Sequence, residues 1–228
     1  MREEVVSHFI NSILPYLNTI EKVAVVGGSV NEPEIMTLET LKNIEIRTYG
    51  IEEGNDLPLD LNTLSPINAK YDLVLCSQVF EHLFDLKNAI ANLANLLDYN
   101  SLLWIACPAS NRSHGSPYYY SAGYQPELII NLAKSYDLEV ITSGRLGSKR
   151  LYFMTHALRV WPNKQELKHP VLKYDFGRYK GNKTKNLLKF IRDFPGRLFA
   201  AFLNSKMSHE VEFATETYVL LKKAEHVF

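Results

Sequence analysis

The stretch Tyr71–Pro108, YDLVLCSQVFEHLFDLKNAIANLANLLDYNSLLWIACP, decides the fold. Tyr71–Cys76 is a short run of aliphatic and β-branched residues, Asn88–Leu97 carries apolar residues at helical spacing, and Leu102–Cys107 is a second apolar run. Strand, loop, helix and strand in that order build a parallel sheet, because parallel neighbours need a crossover long enough to hold a helix. Between the first strand and the helix lies Ser77-Gln78-Val79-Phe80-Glu81-His82. That segment falls at the carboxyl end of a strand, where open α/β sheets bind their ligands.

Upstream, the same alternation repeats. Lys22–Val26 (KVAVV) reads as a buried strand running into Gly27-Gly28-Ser29, and a helix follows from about Pro33 to Lys42. Ile44–Ile51 is a second strand ending at Glu52-Glu53-Gly54, and Asp56–Asn68 is a polar loop. Before all of these, Val5, Val6, Phe9, Ile10, Ile13 and Leu14 recur at helical steps, so Arg2 to Leu14 is an amphipathic helix that Pro15 helps to end.

Downstream, the polar and aromatic loop SNRSHGSPYYYSAGY gives way to Gln125-Pro126-Glu127, which opens a helix with Leu128, Ile129, Leu132 and Ala133 as its apolar positions. Leu138–Thr142, Leu151–Val160 and Glu216–Leu221 complete a set of seven expected strands.

Composition narrows the class. With 228 residues, 46% hydrophobic and 22% charged, the chain has the make-up of a soluble globular domain, and no run approaches the roughly 18 apolar residues of a membrane span. Met1-Arg2-Glu3-Glu4 is acidic and leads into an amphipathic segment, unlike a secretory signal, so the cytoplasm is the expected compartment. Cys76 and Cys107 fall in proposed central strands, where a thiol behaves as a small buried hydrophobe, and neither has the spacing of a metal site.

Net charge is zero but unevenly spread: residues 160–210 hold eleven Lys or Arg against four Asp or Glu. Leu187, Leu188, Ile191, Phe194, Leu198 and Phe202 share one potential face of this segment, and Pro195-Gly196 divides it into two short helices. It reads either as a lid or docking element for an anionic or membrane-surface partner, or as a helical insertion with its charges in water. There is no signature of nucleic-acid binding. Nothing in the sequence fixes an oligomeric state.

Three features in order resemble the class I S-adenosylmethionine-dependent methyltransferase family: the glycine turn in VAVVGGS, Glu52 ending the second strand in YGIEEG, and YDLVLCSQVFEHL as the fourth strand with its loop. The match runs from about Lys22 to Tyr152. The resemblance implies an α/β, Rossmann-like seven-stranded sheet with helices on both faces. It further implies one domain over residues 1–228, an N-terminal helix in 1–20, and the basic helical insertion before the last strand. It implies S-adenosylmethionine as cofactor and a small-molecule or glycan-type acceptor methylated on oxygen or nitrogen.

The candidate site residues follow from chemistry and resemblance together. Gly27, Gly28 and Ser29 would let the backbone approach a ligand closely at a helix N-terminus. Glu52, 25 residues beyond Gly27, suits a carboxylate receiving ribose hydroxyls. The resemblance assigns Asp60, with Asp56 as runner-up, to the adenine amino group, and Ser77 and Gln78 to the methionine part of the cofactor. His114, in the loop after the fifth strand, is the first choice for a proton acceptor at a hydroxyl. His82 is either a proton acceptor or metal ligand, or half of a Glu81-His82 link that orients its loop. Tyr118, Tyr119 and Tyr120 suit an aromatic wall, and Arg112 an acidic group on the acceptor.

The chain departs from the family's fuller pattern. Val25 stands where an acid is usual, two residues before the first glycine, and Gly27-Gly28-Ser29 replaces alternating glycines; Asn31 or Glu32 is the candidate substitute for the acid. Two further readings stay open: a catalytically degenerate cofactor-binding or scaffold protein, and a nicotinamide-dependent oxidoreductase, which also uses glycine turns and a ribose-binding acid.

Overall fold

The computed structural model describes residues 3–110, 117–147 and 214–225. The chain divides into two compact units, Met1–Leu146 with Glu216–Phe228, and Gly147–Thr215. The strand expected at Leu151–Val160, the basic segment 160–210, Arg112 and His114 all lie outside the described residues.

The first unit is built on a seven-stranded sheet. Its strands are β1 (Lys22–Val26), β2 (Glu45–Gly50), β3 (Leu57–Pro58), β4 (Tyr71–Ser77), β5 (Leu97–Pro108), β6 (Leu138–Leu146) and β7 (Glu216–Lys223), in the spatial order β3-β2-β1-β4-β5-β7-β6. The first five run parallel to one another, and β7 lies antiparallel to both β5 and β6. Chain order reverses between β1 and β4, and that is where a crevice opens beyond the strands' carboxyl ends.

Alternate residues of each buried strand face opposite sides, so two cores form. On one side Val23, Val25, Leu73, Leu75, Leu102 and Trp104 meet α1 (Glu3–Ile13) and α2 (Pro33–Leu41) through Val5, Phe9, Ile13, Ile35 and Leu38. Trp104 is sealed between Phe9, edge-on at 5.2 Å, and Tyr218, stacked at 5.6 Å. On the other side Ala24, Val26, Val74, Cys76, Leu103, Ile105 and Cys107 meet α3 (Leu86–Asn95) and α4 (Pro126–Ala133) through Ile90, Leu93, Ile129 and Ala133. Both cysteines are buried free thiols, and burial pushes their pKa values up. Among the described residues, no helix is long and apolar enough to cross a membrane.

Several boundaries differ from the sequence expectation. The helix α3 starts at Leu86, two residues before the expected Asn88, because Asp85 caps it by accepting from the Asn88 amide at 3.0 Å. Its strand β5 begins at Leu97 rather than Leu102: Leu97 pairs with Tyr71, the register then shifts, and Asn100 takes a positive φ. The polar run Asp98–Ser101 hides this irregular start from an apolar-pattern reading. The first helix, by contrast, ends where expected, at Ile13 just before Pro15, and a short 3₁₀ helix, Leu14–Thr19, follows it. Leu57–Pro58, expected as loop, is a two-residue edge strand, a place where proline is tolerated. In α4, Leu128 is exposed while Ile129 and Ala133 are buried.

Candidate functional site

A cleft of 1110 Å³ opens at the chain reversal. Every described residue on its walls belongs to the first unit, and the volume is ample for a nucleoside-sized ligand.

Its floor is the turn after β1. The Gly27 amide donates to the Tyr49 carbonyl at 2.7 Å, and Gly27 sits at φ +74°, where a side chain is strained. A Cβ there would stand 2.6 Å from Cγ2 of Val79, so the glycine is required both by conformation and by the close approach of the β4 loop. The turn then closes on itself. Ser29 accepts at its hydroxyl from the Asn31 amide (3.2 Å) and at its carbonyl from the Glu32 amide (3.1 Å), and Pro33 starts α2.

The β2 side contributes carboxylates. Glu52 and Glu53 are exposed on the cleft wall, and the Glu52 carbonyl accepts from the Asn55 side chain at 3.0 Å, which holds the turn in shape. Asp56, the runner-up for the adenine contact, is committed locally. Its carboxylate accepts from both the amide (2.8 Å) and the hydroxyl (3.0 Å) of Thr48, and those bonds hold its pKa below the ordinary carboxylate value.

Asp60 also faces the cleft, and one of its oxygens accepts from the amide (2.9 Å) and side chain (3.2 Å) of Asn62. Three asparagines hold this loop in place. Asn62 accepts from the Phe84 and Asp85 amides, Asn88 donates to the Asn62 carbonyl at 2.9 Å, and the fully buried Asn92 binds the Ser65 amide and the Thr63 carbonyl. The sequence reading took none of them as site residues. For Asn92 the signal is an amide on the buried face of α3, since burial of an unbonded amide is costly.

At the end of β4 the two candidates part company. Gln78 faces the cleft at φ +58°, with its amide donating to Ala106 and its side chain donating to Glu216 at 2.9 Å. Ser77 is buried and turns its hydroxyl away from the cleft lining, onto the carboxyl of Glu34 at 3.2 Å. Glu34, in the first turn of α2, is fully buried, and desolvation raises its pKa to about 7.

The far wall is aromatic. The Glu81 carbonyl accepts from the Tyr120 amide at 2.8 Å, and His82 Nδ1 is hydrogen-bonded to the Tyr118 carbonyl, so that nitrogen carries the proton. Thus Glu81-His82 fastens the loop that carries Tyr118 and Tyr120 to the end of β4.

No family model matches the sequence, and no curated protein matches it. Solved structures match it over nearly its whole length. A SAM-dependent methyltransferase from Archaeoglobus fulgidus is 15% identical, covers 97% of this chain and 95% of its own, and has a TM-score of 0.51. The O-methyltransferase of a trans-AT PKS multienzyme from Brevibacillus brevis, in complex with S-adenosyl-L-homocysteine, is 12% identical over 97% and 73% at a TM-score of 0.56. The chain has the class I S-adenosylmethionine-dependent methyltransferase fold. A cyclase, SpnF, shares it at 8% identity, 97% and 81% coverage and a TM-score of 0.56. Within this methyltransferase fold Gly27, Gly28, Ser29, Glu52, Asp60, Gln78 and His82 all line one cleft, while the Ser77 side chain does not.

Proposed function

We propose that the protein binds S-adenosylmethionine in this cleft and transfers its methyl group to an oxygen or nitrogen of a small-molecule or glycan-type acceptor. The observation that carries the reading is the charge of the walls. Glu32, Glu52, Glu53, Asp56 and Asp60 line the cleft, and among the described lining residues there is no lysine or arginine. Such a field favours a ligand of net positive charge and disfavours a dinucleotide, whose pyrophosphate is anionic. S-adenosylmethionine is a nucleoside with a sulfonium and an ammonium group. The walls therefore fit it on charge as well as on size.

In this reading the Gly27-Gly28 turn brings backbone against the ligand, Glu52 takes the ribose hydroxyls, and Asp60 the adenine amino group. Gln78 borders the amino-acid end. When bound, S-adenosylmethionine supplies a methyl carbon on a positively charged sulfur that leaves as a neutral thioether. What the chain adds is alignment and exclusion of water, since fixed orientation removes the entropic cost of a bimolecular encounter.

Calorimetric titration with S-adenosylmethionine, S-adenosylhomocysteine and NAD tests the proposal. The first two should bind with dissociation constants on the order of micromolar, NAD should not bind, and Glu52→Ala should weaken the nucleoside several-fold. Binding of NAD in their place would turn the reading to an oxidoreductase. Binding of none would turn it to a scaffold.

A further inference from the structure

Phe84, Tyr118 and Tyr120 are large aromatic residues that stand 67%, 62% and 51% exposed, yet all three line the same cleft. Single exposed aromatics are ordinary on a protein surface. Here two separate segments, the loop after β4 and the loop after β5, deliver their rings to one concave wall. The Phe84 and Tyr120 rings meet edge to face with centroids 5.7 Å apart, an arrangement that leaves ring surface open for a third partner.

The backbone under these rings is fixed. Phe84 donates its amide to Asn62 at 2.9 Å, Tyr120 donates its amide to Glu81, and the Tyr118 carbonyl is bound by His82. Asn62 is itself anchored through Asn88 on α3. A surface built for solvent has no need of such anchoring, whereas a recognition surface gains from it, because rigid aromatic groups lose little freedom when a ligand docks. Exposed apolar surface in a concavity rimmed by polar groups marks a binding site.

We propose that Phe84, Tyr118 and Tyr120 form a stacking shelf that selects an acceptor bearing a planar ring. Flat π faces reward a flat partner most, since a puckered saturated ring offers them only C–H edges and a smaller contact. Naming that ligand an acceptor rests on the methyl-transfer reading; the shelf as a site for planar rings does not.

The test is saturation-transfer NMR on the full chain with 2-naphthol as planar probe and cyclohexanol as saturated probe, with and without S-adenosylhomocysteine. Phe84→Leu and Tyr120→Leu keep apolar bulk but remove the π face, and Leu128→Ala on α4 is the control. The wild type and the control should bind 2-naphthol alike, each shelf variant should bind it three- to tenfold more weakly, and cyclohexanol should give weaker transfer than 2-naphthol. Circular dichroism of the variants should be unchanged, since both side chains are exposed.

Equal 2-naphthol binding in wild type and shelf variants, no binding to wild type, or equal binding of cyclohexanol overturns the shelf. Should S-adenosylhomocysteine fail to bind while 2-naphthol binds and discriminates, the shelf stands and the methyl-donor reading falls. Should S-adenosylhomocysteine bind and 2-naphthol not, the reverse holds.

Discussion

The Gln78 side chain donates to Glu216 at 2.9 Å, tying the residue that leaves β4 to the first residue of β7 across 138 positions of sequence. Gln78 does this from φ +58°, a conformation that costs a non-glycine residue about 1 kcal/mol or more. Strain of this kind persists where surrounding bonds over-determine it. Two substitutions separate the contributions. Gln78→Ala loses the bond to Glu216 and keeps the strain; Gln78→Gly loses the bond and relieves the strain. Urea unfolding should find both less stable than wild type and the alanine variant lower than the glycine variant by about 1 kcal/mol. Equal stability of the two would mean that the backbone there is unstrained.

Gly27→Ala should be costly for two reasons that a second substitution tells apart. A Cβ meets Val79 at 2.6 Å, and the backbone sits at φ +74°. A loss of about 2 kcal/mol is expected. Adding Val79→Ala should recover the steric part and leave the conformational part, a coupling visible in a double-mutant cycle of thermal unfolding.

Glu34 makes stability depend on pH. Its folded pKa, about 7, lies above the ordinary value of 4.5 because burial penalises the charge. Between those two values the folded protein holds a proton that the unfolded chain has released, so this group's contribution to stability falls as pH rises from 4.5 to 7 and is flat on either side. The drop amounts to about 3 kcal/mol. Glu34→Gln, which keeps the shape and cannot ionise, should abolish that slope when melting temperature is followed against pH. A slope of the same size in the variant would assign it to another group.

Asn92→Ala should cost about 2 kcal/mol, since it leaves the part-buried Ser65 amide and Thr63 carbonyl without their side-chain partner. Hydrogen exchange at Ser65 should quicken in the same variant. If the Asp60 loop depends on this tether, affinity for S-adenosylhomocysteine should fall in parallel, by several-fold; an unchanged affinity would show that the loop keeps its place without Asn92.

Much of the sheet was legible because its strands are buried on both sides. Val23–Val26, Leu73–Cys76 and Tyr218–Leu221 are continuous apolar runs, and burial leaves little freedom in what such runs become. The helix opened by Pro33 was equally plain, as proline suits a first turn. Less visible were the edges. Leu57–Pro58 pairs only because Gly50 and Tyr49 lie beside it, and the early start of β5 depends on a register shift against β4. Neither has a pattern of its own.

Of the residues that line the cleft, Gly27 and Glu52 were readable from their places at strand ends and Asp60 and Gln78 from the family resemblance, whereas Ser77 and Asp56 were readable as residues but not as orientations. A hydroxyl after a strand can face the cleft or the helix behind it. The packing of α2 brings the Glu34 carboxyl within 3.2 Å of that hydroxyl, and Thr48 claims the Asp56 carboxylate.

By itself the sequence determined the order of strands and helices and the short loops where a ligand would sit, because hydrophobic periodicity and glycine or proline chemistry are local properties of the chain. Only the tertiary structure decided which polar groups of those loops turn to the cleft and which are spent on one another. Asn62, Asn88 and Asn92 find these partners across 22 to 29 residues, and Phe84 meets Tyr120 across two loops. Such choices are settled by where neighbouring elements pack, since each buried donor and acceptor must find a partner in three dimensions.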